Sequence, residues 1–110
     1  MEKRTHERTD RVRAALPGKL LEVRSQKYFK GRPLDVSASG FSILTETILN
    51  FDDSIWLILD SSYVRLKVAY RMPDTSSRGM YRCGLEREDP GDNLLQVFDQ
   101  YGCIRSIAEE

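Results

Sequence analysis

Only two cysteines stand among the 110 residues, Cys83 and Cys103, far apart and in no CxxC pair. A disulfide framework needs more thiols and a four-ligand zinc site needs closely spaced ligand pairs, so the chain supports neither. Histidine is scarcer still: His6 is the single one, in a stretch with almost no apolar groups, which leaves a histidine-based general base or metal site without support. No apolar run approaches the roughly 18 to 20 residues needed to cross a bilayer, and the first residues are too charged for a secretory leader. The GxSxG turn, a phosphate loop ending in Gly-Lys-Ser/Thr and the HExxH helix are absent as well. The acidic pairs Asp52–Asp53 and Glu88–Asp89 fall beside turn-forming residues, where solvated carboxylates are ordinary. These absences predict one soluble cytoplasmic domain with free thiols, no cofactor, no membrane insertion and no enzymatic activity.

What is present is charge, unevenly placed. Seventeen basic and seventeen acidic side chains cancel to a net charge of +0, yet residues 1 to 35 hold ten basic groups against five acidic ones. An anionic partner would meet that first third. A basic tail that only keeps the chain in solution accounts for the same count.

From Lys19 onward apolar residues alternate with polar ones or cluster in short runs between turn formers, the period of half-buried strands. The pattern predicts strands at 19–24, 32–37, 40–47, 54–60, 63–71 and 79–87, with breaks at 25–31, 38–39, 50–53, 61–62 and 72–78. Six such strands without an intervening helix predict an all-β fold, an antiparallel meander that closes into a small barrel. After Pro90-Gly91 the period changes. Leu94, Val97, Phe98, Tyr101 and Ile104 share one face of a helix expected over 93–107, capped by Asp92 or Asn93 and weakened by Gly102 by roughly 1 kcal/mol relative to alanine. Residues 1–13 read as a flexible ligand-binding arm, and 14–110 as the barrel with its C-terminal helix.

Two segments carry the chemistry. Arg4-Thr5-His6-Glu7-Arg8 sets two guanidinium groups four residues apart. Arginine's planar fork donates two parallel hydrogen bonds to a phosphate and stacks on a purine, which lysine cannot do. The same RxxxR spacing recurs at Arg78 to Arg82, where a loop followed by a strand explains it. Downstream, Asp35-Val36-Ser37-Ala38-Ser39-Gly40 spells DxSxxG once. On a strand Asp35 and Ser37 point to one face and Val36 to the other. A carboxylate there can accept two parallel N–H donors, the arrangement on the Watson–Crick edge of guanine, and the hydroxyl can add one more bond. Gly40 would permit a positive φ or a close ligand approach. A strand-ending Asx or Ser turn that merely caps the bend is the other reading of the same residues.

The pair of segments resembles the PilZ domain, a bacterial receptor module for cyclic di-GMP. The likeness extends to the Gly40-Phe41-Ser42-Ile43 strand entry, to Tyr81-Arg82-Cys83-Gly84-Leu85-Glu86 and to the terminal helix. It implies a six-stranded antiparallel barrel whose N-terminal arm wraps the ligand. It also implies that Arg4 and Arg8 engage phosphates and guanine faces while Asp35, Ser37 and Gly40 hold a guanine edge. In many members the second arginine directly precedes an apolar residue. Here Arg8 precedes Thr9-Asp10, and Arg11 precedes Val12, so Arg11 is a third expected contact. The resemblance further implies signalling through an effector protein, by ligand-induced ordering of the arm. Two alternatives are a PilZ-fold adaptor without ligand and, less expected, a small barrel binding single-stranded nucleic acid through Lys27, Tyr28, Phe29, Lys30 and Arg32.

Overall fold

In the computed structural model, which describes residues 9–13 and 15–104, the alternation of apolar and polar residues is visible strand by strand. Val64, Leu66 and Val68 are buried while Tyr63, Arg65 and Lys67 face solvent, the period-2 consequence of a pleated strand with one face on a core. The elements are β1 (Thr9–Arg11), β2 (Lys19–Glu22), β3 (Lys27–Phe29), β4 (Arg32–Ser37), β5 (Gly40–Thr45), β6 (Ser54–Ile58), β7 (Tyr63–Pro73), β8 (Tyr81–Arg87) and α1 (Leu94–Gln100). All strand pairs are antiparallel, in the order β1-β4-β5-β8-β7-β6-β2-β3. Among the described residues no helix is long and apolar enough to cross a membrane.

The expected closed six-stranded barrel is thereby corrected: the sheet has eight strands and is open. The two additional strands, β1 and β3, are three residues each and form the two edges, too short to leave a periodic signal. β3 lies inside the 25–31 break, where a tight turn at Gln26, with φ 58, folds it back on β2. The sheet's ends still approach one another. Only Lys30 and Gly31 separate β3, at one edge, from β4, next to the other edge, and Thr45 Oγ1 donates to the Lys30 carbonyl at 2.6 Å. The result is a curled sheet with a seam.

The core fills the inside of the curl with Leu20, Ile43, Ile55, Leu57, Leu66 and Leu85, closed by Leu94 and Phe98 of α1. Burying side chains of this size contributes about 1.5 to 3 kcal/mol each. Phe98 packs on Phe41 with ring centroids 5.0 Å apart. The helix starts where expected, since the Asn93 side chain accepts the Gln96 N–H at 3.1 Å. It ends seven residues before the expected 107. Gly102 has φ 74, and the N–H groups of Gly102 and Cys103 donate to the carbonyls of Asp99 and Phe98, a left-handed glycine stop rather than a weak interior position. Ile104 consequently leaves the helical face and forms an antiparallel bridge with Val12.

That bridge bears on the arm. Of the expected flexible arm, Thr9–Arg11 form β1 paired with β4, and the next two residues are held by backbone hydrogen bonds, Val12 N–H donating to Leu34 O at 2.9 Å and Arg13 N–H to Cys103 O at 3.0 Å. Buried Val12 supplies the apolar anchor that composition alone made look insufficient. Residues 1–8 lie outside the described residues.

Candidate functional site

The strand that carries the DxSxxG motif is irregular. Its register against β5 shifts between Pro33↔Ile43 and Val36↔Phe41, which leaves Leu34 and Asp35 opposite Ser42 alone. The Asp35 N–H donates to the Ser42 hydroxyl at 3.3 Å. Bulges of this kind bend a strand and re-aim its side chains. Val36 is buried, and Asp35 and Ser37 are half-buried on the opposite face, as the alternation requires. Across β1 the partners are Arg11 for Asp35 and Thr9 for Ser37.

Asp35 stands where two clefts meet. The larger, about 640 Å³, lies along the seam, between the segment leading from β1 to β2 and the segment leading from β3 into β4. Among the described residues four arginines line it, Arg11, Arg13, Arg32 and Arg82, and one carboxylate, Asp35. The smaller, about 220 Å³, is rich in hydroxyls from Thr9, Ser37, Ser39 and Ser42, with Tyr70 and Glu86 on its walls.

Charge is unbalanced at the larger cleft. Among the described residues no carboxylate lies within 4.0 Å of the Arg11, Arg13 or Arg32 guanidinium groups. Arg82 is tethered, its Nη2 3.4 Å from Asp74 Oδ1. Hydrogen bonds from Ser76 and the charge of Arg82 outweigh desolvation and hold the Asp74 carboxyl below its ordinary range, so the tether is ionised at neutral pH. A cleft with this surplus of guanidinium groups attracts anions, phosphates above all.

The expected site residues divide into three groups. Arg11 and Asp35 are brought together at the cleft. Ser37 and Gly40 belong mainly to the β4–β5 turn: Ser37 Oγ lies 3.3 Å from Ser39 Oγ and donates to Gly40 O at 3.4 Å. Gly40 does not take a positive φ; a Cβ there would overlap the Leu85 carbonyl oxygen, so the residue is glycine because β8 passes so close. Arg87 secures the turn from below, its Nη1 donating to the carbonyls of Ala38 and Asp92. Arg4 and Arg8 lie outside the described residues.

Three further arginines line the cleft: Arg13 lies in the expected arm, Arg32 belongs to the basic hairpin of the nucleic-acid alternative, and Arg82 is assigned no ligand contact by the sequence pattern. Arg82 had been accounted for by a loop-to-strand step, and its partner in that spacing, Arg78, stands in the β7–β8 loop away from the cleft. The available signal was Arg32, which opens the strand that carries Asp35.

Cys83 and Cys103 are buried, and burial pushes both thiols up, partly offset at Cys83 by Arg71, so neither offers a thiolate nucleophile near neutral pH. Among the described residues no group of three or more His, Cys, Asp or Glu is placed to hold a metal ion. Compared with protein-family models, curated proteins and solved structures, the chain matches none.

Proposed function

We propose that the chain is a receptor module that takes cyclic di-GMP into the seam cleft and passes the event to an effector protein through altered contacts. The observation that carries this reading is the convergence of Arg11, Arg13, Arg32 and Arg82 with Asp35 on one cleft. A ligand with two phosphates and two guanines needs both kinds of group. Guanidinium forks pair with phosphate oxygens and stack on purines, and a carboxylate accepts the two adjacent N–H donors of a guanine edge. The likeness of residues 4–8 and 35–40 to the PilZ motifs supports the same ligand and adds Arg4 and Arg8 as phosphate contacts. In this proposal Ser37 lends its hydroxyl and Gly40 keeps the motif's turn tight on β8.

The proposed role is recognition rather than turnover. The guanidinium group offers donors and no acceptor, so a cleft whose described lining holds four arginines and one carboxylate favours holding an anion over moving protons. The proposed setting is the cytoplasm, where Cys83 and Cys103 remain reduced.

Calorimetric titration with cyclic di-GMP, cyclic di-AMP and a short single-stranded oligonucleotide, each at two salt concentrations, tests the reading. Saturable binding with preference for cyclic di-GMP is expected. No heat with cyclic di-GMP, or tighter and steeply salt-dependent binding of the oligonucleotide, overturns it.

A further inference from the structure

Resting on that reading, we infer that the site has a second lobe, in which Tyr28 is the surface that stacks the ligand's second base. A groove of about 520 Å³ adjoins the arginine cleft, and Ala15, Leu16 and Gly31 line both. From that shared boundary the groove follows the β2–β3 hairpin past Lys19, Tyr28 and Lys30. The combined space is therefore elongated, with guanidinium groups in one half and an aromatic ring flanked by ammonium groups in the other.

Tyr28 offers an open aromatic face beside that groove. Its side chain is on the edge strand β3, opposite Leu21, and the residue is 62% exposed. Its polar neighbour is Lys19, whose Nζ lies 5.9 Å from the ring centroid. A tyrosine face accepts a purine by stacking regardless of the base's identity, and a lysine beside it meets a phosphate oxygen. Selectivity for guanine then resides at Asp35, and selectivity for length, two bases rather than one, resides at Tyr28. A mononucleotide engages the arginine cleft alone, whereas a cyclic dinucleotide reaches across the shared boundary.

Titrating the full chain with cyclic di-GMP and with GMP separates the two lobes. Tyr28→Ala is expected to weaken cyclic di-GMP by at least about fivefold and to leave GMP affinity unchanged, while Tyr28→Phe retains the parent's affinity for both. Unchanged cyclic di-GMP affinity in Tyr28→Ala, or an equal loss for both ligands, overturns the second lobe and leaves the receptor reading standing. A parent chain that binds neither ligand overturns both.

Discussion

Arg11 and Asp35 stand directly opposite each other across the β1–β4 pair, yet among the described residues neither forms an ion pair within 4.0 Å. A cation and an anion in register usually neutralise one another. Here the bulge at Leu34 and Asp35 turns the acid away from the regular ladder, and both groups remain available to a third party.

Arg11→Ala is expected to weaken cyclic di-GMP binding by about 1.5 to 3 kcal/mol, the usual contribution of a hydrogen bond to a charged group. Arg11→Lys recovers little, because the charge survives but the fork and stacking plane do not. A lysine variant that titrates like the parent removes the bidentate role. Thermal unfolding of both variants matches the parent, since Arg11 is exposed.

Asp35→Ala acts on selectivity. A site that pairs N–H donors loses its discrimination when the acceptor is removed, so the preference for cyclic di-GMP over cyclic di-AMP falls. An unchanged ratio of the two affinities reduces Asp35 to a turn residue. Ser37→Ala shifts the ratio less, because that hydroxyl is already engaged with Ser39 and Gly40.

Gly40→Ala is a folding variant before it is a binding variant. The added methyl meets the Leu85 carbonyl oxygen, a backbone atom that cannot swing aside, and overpacking of this kind costs about 1 to 3 kcal/mol. Gly84→Ala meets the ring of Tyr70, a half-exposed side chain free to rotate outward, and costs less. Urea midpoints in which Gly84→Ala is the worse of the two contradict this account.

The six longer strands were legible in the sequence in two ways: β6 and β7 have one buried face, which alternation such as Val64, Leu66 and Val68 records directly, whereas β5, buried on both faces, reads as a short apolar run between turn formers. The edges were not. In three residues, Lys27 to Phe29 or Thr9 to Arg11, a period of two has nothing to repeat, and their pairing is decided by what β2 and β4 leave open. The motif residue Asp35 was visible from spacing, but the arginines around it come from β8 and from the ends of β1 and β4, and only the curl of the sheet assembles them.

Gly102 shows the same limit at a single residue. Periodicity places it inside a helix, where alanine would be stabilising; the fold places it just past the end at φ 74, with no atom near enough to obstruct a side chain. Gly102→Ala is therefore expected to destabilise by about 1 to 2 kcal/mol, the cost of a left-handed conformation for an L-residue. Stabilisation in urea unfolding returns the residue to the helix interior.

The start of the described chain supplies the last prediction. A segment with Arg11 and Arg13 and little apolar surface has conformational entropy of roughly 1 to 2 kcal/mol per residue against its ordering. What outweighs it is specific: β1 pairs with β4, Val12 is buried and bridged to Ile104, and Val12 and Arg13 donate their N–H groups to Leu34 and Cys103. The amides of Val12 and Arg13 should therefore exchange slowly in the ligand-free protein, and cyclic di-GMP should change their protection little. Fast exchange without ligand, slowed only when cyclic di-GMP is added, would show that β1 is itself the element that the ligand orders. In that case the arginine cleft is assembled by binding instead of waiting for it, since Arg11 and Arg13 form one of its walls.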